Sequence, residues 1–235
     1  MERLKKQSVG AAFAAAFPHT IPVLTGFLAL GIAYGVLMQT KGYSAFWSVA
    51  MSAIAFCGSM QFVAITLLTA AFDPLSAFLL SLMVNARHLF YGVSMLEKYK
   101  GTGKARGFLI FALCDETFSI CSSVEPPEAV DKKYFYLFIT LLDYLYWIIG
   151  TALGGLLGGF ITFNTKGLDF VLTALFVVLF LEQMKKPENR VSGIIGLLSA
   201  ASALFVFGAD NLVIPAMLII LLVLLLGRKS YADGK

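Results

Sequence analysis

The chain has 235 residues, 59% of them hydrophobic and 14% charged, with a mean hydropathy of +0.83. Such a composition cannot close into a water-soluble globule with a wettable surface, so a soluble enzyme or soluble binding module is excluded and a lipid bilayer is required. The net charge of +4 carries no nucleic-acid signature, because Lys and Arg cluster at Arg3–Lys6, Lys98–Arg106, Lys132–Lys133, Lys185–Arg190 and Arg228–Lys229, each flanking an apolar run as topology-setting charges do.

At roughly 20 residues per span the chain holds about seven or eight helices and short loops. The expected fold is all-α, a polytopic integral membrane helix bundle forming one transport domain over 1–235. After Arg3, Lys5 and Lys6 the sequence continues through Pro18 and Pro22 into a full-length apolar segment, which reads as an uncleaved anchor with a cytoplasmic start. Apolar runs then fall at about 17–38, 44–71, 75–96, 106–124, 134–160, 168–182, 191–208 and 211–227. The sixth and eighth are short, and the second carries Gly58–Ser59 late in its length, so broken, tilted or re-entrant segments are expected. Eight spans put Lys185, Lys186, Arg190, Arg228 and Lys229 inside with the N-terminus, but Lys98, Lys100, Lys104 and Arg106 outside. Either the positive-inside rule fails at that loop or one of the first three elements does not cross.

Several features have purely structural readings. Cys57, Cys114 and Cys121 lie inside apolar segments and read as small packing residues, neither disulfides nor metal ligands. The Gly-x-x-x-Gly spacings at Gly31/Gly35, Gly150/Gly154/Gly158 and Gly155/Gly159 read as close helix packing. Glu182 and Gln183 border a charged loop and read as interfacial. The chain also resembles itself: Leu75–Gly92 lies without gaps over Val191–Gly208, pairing Ser76 with Ser192, Leu82 with Leu198, Tyr91 with Phe207 and Gly92 with Gly208. Each copy is preceded by a Gly-x-x-x-Gly helix, a Lys-Gly turn (Lys41-Gly42; Lys166-Gly167) and an apolar helix with a Gln near its end (Gln61; Gln183). A duplication with halves of about 17–124 and 134–227 is the expected architecture of a secondary transporter, with its substrate site near the midplane.

Asp115 and Glu116 stand together in the apolar stretch Arg106 to Val124. A single charge at a bilayer centre costs about 2.5–3.5 kcal/mol on insertion scales, so an adjacent acidic pair requires a polar interior, a partner charge or a proton. Residues equally spaced from a connecting turn lie at similar depth on antiparallel helices. With turns near Asp73, Gly101 and Ala129, Gln61 matches Asn85, Arg87 matches Asp115, and Asp115 matches Asp143. A mid-membrane polar layer of Ser59, Gln61, Asn85, Arg87, His88, Asp115 and Glu116 follows, with Asp143 at its margin. The plainer alternatives are an Arg87 ion pair that only docks helices and a His88 that is only a hydrogen-bonding group. The Gly58–Ser59 pair reads as a bend that frees backbone groups toward substrate.

PVLTGFLALGIAYGVLM (Pro22–Met38), GSMQF (Gly58–Phe62), NARHLFYG (Asn85–Gly92), DETFS (Asp115–Ser119), YWIIGTALGGLLG (Tyr146–Gly158) and GLDFVLTALFVVLFLEQ (Gly167–Gln183) together resemble the AzlC family of branched-chain amino-acid exporters. Order and spacing match from about Phe17 to Gln183. Met60 departs from the small residue usual there, which bears on pocket size and substrate. The resemblance implies export of leucine, isoleucine or valine across the cytoplasmic membrane, with a separate small membrane subunit of the AzlD type as partner. No Walker A motif is present, so any use of ATP would fall to another protein.

The expected mechanism is alternating access around the polar layer, without cofactor or metal. Arg87 would take the substrate carboxylate, and Asp115 or Glu116 its ammonium, while the other acid exchanges a proton with the gradient. Two rivals come from other classes: a passive channel or scaffold subunit, and, remotely, an intramembrane serine hydrolase using Ser59 with His88 as base.

Overall fold

The computed structural model describes residues 9–69, 71, 73–160, 174, 177, 180, 181, 184, 185, 187–208 and 212–232. Arg3, Lys5, Lys6, Lys166, Gly167, Glu182, Gln183 and Lys186 lie outside the described residues, as do most of the run 168–182 and the side chains of Ser76, Arg228 and Lys229. Among the described residues the regular structure is helical throughout, as the composition predicts. The chain divides into two compact units, Met1–Asp169 and Phe170–Lys235.

The first unit is organised by two long helices, α1 (Val9–Thr40) and α7 (Lys132–Gly158). Both are long and apolar enough to cross a membrane, as is Asn189–Phe207 in the second unit. Pro18 and Pro22 remove two donors from α1, and the hydroxyls of Thr20 and Thr25 donate to the carbonyls of Phe17 and Pro22 at 2.9 and 3.1 Å. At the start of α7 the Asp131 carboxylate accepts the Lys133 N–H at 2.8 Å, an N-cap that holds the first turn.

The two long helices meet along a glycine face. A Cβ on Gly31 would stand 2.9 Å from the Thr151 nitrogen, and one on Gly150 would stand 2.9 Å from the Phe27 carbonyl. Gly35 meets the backbone of Thr151 and Gly155 closer still, and Gly154 meets that of Ile32. In hydrocarbon, where lipid tails are as apolar as leucine, such close backbone approach is what holds helices together. The packing reading of the Gly-x-x-x-Gly spacings therefore holds for this seam.

Between the long helices in the chain lie two apolar runs that are interrupted. α2 (Ala45–Ile54) and α3 (Gly58–Thr69) are separated at Ala55–Cys57, where Phe56 has φ 39°, a left-handed value costly for a bulky residue. The expected break at Gly58–Ser59 thus falls just before Gly58. The expectation of one continuous span over 106–124 is corrected: it is divided into α5 (Ala105–Phe111) and α6 (Asp115–Ser123) by Ala112–Cys114, where Cys114 is extended (φ −98°, ψ −179°). The reason is that two adjacent carboxylates are better placed in the first turn of a new helix, whose N–H groups lack intrahelical partners, than inside a continuous one.

The two breaks share an Ala-apolar-Cys pattern, Ala55-Phe56-Cys57 and Ala112-Leu113-Cys114. In each, the Cys carbonyl accepts the first bond of the following helix, from Gln61 N at 2.8 Å and from Phe118 N at 2.8 Å. α4 (Pro74–Met95) joins them as an uninterrupted helix, its start held by the Asp73 carboxylate accepting the Leu75 N–H at 3.1 Å. A buried core of Met95, Tyr99, Leu109, Leu113, Cys121, Phe135, Tyr136 and Ile139 packs one end of α7 against the second break and the α4–α5 loop.

The second unit contains α8 (Pro187–Phe207) and α9 (Val213–Ala232), which pack on one another. Gly208 at φ 73° ends α8, and Ser199 and Ala203 of α8 and Ala216 of α9 are small buried residues.

Candidate functional site

Arg87, on α4, binds both interrupted spans at once. Its Nη1 pairs with Asp115 Oδ2 at 2.9 Å and its Nη2 donates to Ser59 Oγ at 2.6 Å. The start of α3 and the start of α6 are thereby held on one guanidinium, whose fork geometry suits two acceptors. Positive helix ends and unbonded N–H groups gather there, beside a carboxylate that also favours that end of α6. The side chains of Arg87 and Asp115 are 34% and 26% exposed, so the pair is only partly covered by the protein.

Three atoms around this pair are buried without a hydrogen-bond partner: Arg87 Nε, Asp115 Oδ1 and His88 Nδ1. One donor, one acceptor and one imidazole nitrogen thus retain binding capacity within a single locus, an arrangement that is costly unless something uses it. Asn85 closes the side of the locus, its Oδ1 accepting the Cys57 thiol at 2.8 Å. His88 packs edge-on to Tyr91 at 5.6 Å, and Tyr91 stacks on Phe118 of α6 at 4.3 Å.

The same half-helices face α7 on their other sides, since residues two apart on a helix point in nearly opposite directions. Ser59 faces Arg87, whereas Gln61 accepts from Trp147 Nε1 at 2.8 Å and donates to Ser52 Oγ at 2.8 Å. Ser52 in turn shares a hydrogen bond with Thr151 at 2.9 Å. Asp115 faces Arg87, whereas Thr117 donates to Asp143 Oδ2 at 2.8 Å. Thr140, Asp143, Trp147 and Thr151 form a buried polar stripe on one face of α7. Tyr144, beside that stripe, donates to the Ala53 carbonyl at 2.7 Å and packs on Phe56 at 4.8 Å, satisfying a carbonyl freed by the first break.

With this geometry in hand, the comparison with known proteins is informative. The family model described as AzlC protein matches residues 22–161. The chain belongs to the AzlC family. It is 52% identical over 96% of its length, and 89% of the relative's, to the branched-chain amino acid transport protein AzlC of Bacillus subtilis. It is 40% identical to an uncharacterized membrane protein of Helicobacter pylori, covering 93% of this chain and 96% of that one, and 26% identical to the inner membrane protein YgaZ of Escherichia coli, covering 76% of each. No solved structure matches. This AzlC-family chain is therefore a multi-pass membrane protein with a transport role.

Of the residues singled out from sequence, Ser59, Arg87 and Asp115 are in direct contact, with Asn85 and His88 beside them on α4. Glu116, half-buried in the first turn of α6, forms no ion pair among the described residues. Gln61 bonds away from Arg87, to Trp147 of α7 and Ser52 of α2. Asp143, matched to Asp115 by depth counting, is fully buried and accepts from Thr117. Ser52, Thr117, Trp147 and Thr151 were not anticipated, although polar residues at 140, 143, 147 and 151 on the three-to-four spacing of one helix face carry that signal. Ser59 Oγ accepts from Arg87, while His88 Nδ1 has no hydrogen-bond partner among the described residues.

Proposed function

We propose that this protein is a secondary transporter that exports leucine, isoleucine or valine across the cytoplasmic membrane, coupled to the proton gradient and working with a small AzlD-type membrane subunit. The observation that carries the reading is the Arg87–Asp115 pair suspended between two helix starts, with Arg87 Nε and Asp115 Oδ1 unpartnered. A zwitterionic amino acid offers what these atoms lack. Its carboxylate takes the guanidinium and the N–H groups at the start of α3, near Ser59, and its ammonium takes Asp115. Asn85 and His88, on α4 with Arg87, lie beside the binding atoms, and Met60 follows Ser59 at the start of α3. Glu116, next to Asp115 and without a cation of its own, exchanges the coupling proton.

The name of the Bacillus subtilis relative supports the substrate class, and the broken helices support a site between half-helix ends, as in other secondary transporters. Substrate held by these atoms bridges Arg87 and Asp115, which links occupancy to the relative position of α4 and α6. The test is valine export from dipeptide-loaded cells or vesicles holding both subunits. The double change Asp115→Asn, Glu116→Gln is expected to abolish export at normal protein levels, and export at the wild-type rate rules out the assignment.

A further inference from the structure

Among the described residues of the first unit the most buried acid is Asp143. It is 0% exposed, its Oδ2 is held only by the Thr117 hydroxyl, and its Oδ1 has no partner. No basic side chain pairs with it among the described residues, so as a carboxylate it would be an uncompensated buried charge, an arrangement that costs several kcal/mol or is relieved by a proton. One turn before it, Thr140 Oγ1 is also buried and unpartnered. A bare metal cation would need several oxygens around it; here a single hydroxyl reaches the carboxyl, and it does so as a donor.

The groups around Asp143 can be named element by element. From the start of α6 come Glu116 and, just before it, Cys114, both within electrostatic reach, and further along α6 comes Cys121. α1 offers His19, which packs on Phe135 at 6.0 Å, and Tyr34, which stacks on Trp147 at 6.3 Å, so these lie to either side along α7. α2 carries no titratable side chain, and the sole charge of α5, Arg106, is at the end away from the break. Tyr99, from the loop after α4, lies against Tyr136 at 5.7 Å. The described neighbours of Asp143 thus include one other carboxyl, Glu116, and no paired cation.

We infer that Asp143 is a proton-binding residue of the transport cycle, receiving its proton from Glu116 and passing its charge state to the substrate site through Thr117. Glu116 ionises as Asp143 becomes neutral, so one proton moves from α6 to α7 and total charge is conserved. A hydroxyl donates more strongly to a carboxylate than to a neutral carboxyl. Proton arrival therefore loosens Thr117, and with it α6, whose first residue is the Asp115 that pairs with Arg87. α7 is fixed against α1 by the glycine seam, so α6 is the partner that shifts. This assignment rests on the transport reading for its role in coupling, but not for the presence of the proton.

The test has two arms. In proteoliposomes containing the full chain and its small subunit, valine–valine exchange needs no net proton movement, whereas accumulation driven by an imposed pH gradient does. Asp143→Asn is expected to keep exchange and lose gradient-driven accumulation, and accumulation at the wild-type level overturns the inference. In the second arm, infrared difference spectra of the purified full chain are recorded as pH is varied. A carboxyl band present in the wild type and absent from Asp143→Asn supports the proton site, and survival of every pH-dependent band overturns it. If Asp143→Asn does not yield folded protein, Thr117→Val is compared with wild type, both carrying labelled aspartate. A displaced aspartate band then supports the inference and an unmoved one overturns it. Should the wild type fail to move valine at all, the transport reading falls while the infrared arm still decides on Asp143.

Discussion

The seam between α1 and α7 and the layer held by Arg87 are built on opposite principles. The seam has glycines at Gly31, Gly35, Gly150, Gly154 and Gly155, no charged residue, and backbone against backbone. The layer has two short half-helices, an ion pair, and three polar atoms without partners. One region leaves nothing to rearrange, because any side chain added there meets main chain. The other is under-bonded, and its members can trade partners at small cost. Alternating access needs both: a frame that keeps its geometry and a pair of short helices that do not have to.

The largest expected effect comes from attacking the frame. Gly35→Val or Gly154→Val places side-chain carbon where the opposite backbone already lies, so the helices must separate. Overpacking a well-packed site costs about 1–3 kcal/mol, and more where the obstacle is main chain. Loss of folded protein in detergent, read by size-exclusion profile and thermal melt, is the expected outcome. A Gly26→Val control, where an added Cβ meets nothing, should behave as wild type. Equal melts for Gly26→Val and Gly154→Val would remove the distinction between frame and layer.

The second effect falls on transport and largely spares folding. Arg87→Ala removes a charged hydrogen-bonding group, and such contacts are worth about 1.5–3 kcal/mol, which corresponds to roughly ten- to a hundredfold in apparent affinity for valine. The pair is partly exposed, so the stability loss should be well below the 3–5 kcal/mol of breaking a fully buried one. An Arg87→Ala, Asp115→Ala double variant separates the two roles. If the pair only docks helices, removing both charges restores transport; if it binds substrate, folding recovers and transport does not.

Much of this was legible in the chain. The apolar runs marked where α1, α4 and α7 would lie, because a bilayer demands long apolar helices and little else produces them. Equal spacing from the turns brought Arg87 to Asp115, since helical rise converts residue number into depth. Depth says nothing about direction, however. Ser59 and Gln61 share a level and face different helices, so Gln61 was grouped with Arg87 when it bonds Trp147 and Ser52. The break at Ala112–Cys114 was hidden for another reason: Ala-Leu-Cys carries no glycine or proline, and only its likeness to Ala55-Phe56-Cys57 exposes it.

A third effect probes the junction between frame and layer. Trp147→Phe keeps an aromatic ring but loses the pyrrole half of the indole and its N–H, leaving the Gln61 Oε1, 1% exposed as a residue, without that donor. An acceptor stranded in this way costs about 1–3 kcal/mol. The thermal melt of the purified protein should fall by that equivalent, with valine affinity changed less than in Arg87→Ala. A larger loss of affinity than of stability would place Gln61 in the substrate site after all.

The smallest effect lies at the rim, where Lys98 joins the end of α4 to the loop after α6. Its Nζ meets Glu125 Oε1 and the Ser122 carbonyl, each at 2.9 Å, and Glu125 Oε2 accepts from Tyr136 at 3.2 Å. The Glu125 side chain is 73% exposed, so solvent screens the pair and its worth is no more than about 1 kcal/mol. The hydrogen bond from Lys98 nonetheless holds the Glu125 carboxyl below the usual carboxylate range. A carboxyl so lowered stabilises the folded state fully above its ordinary range, and that contribution is lost as pH falls through the lowered value. The melting difference between wild type and Lys98→Met should therefore be present at neutral pH, shrink in acid and shrink in high salt. A difference that persists in both would assign the effect to Lys98 packing over the Tyr136 ring, 5.8 Å from its centroid, and leave no ionic tie at this end of α6.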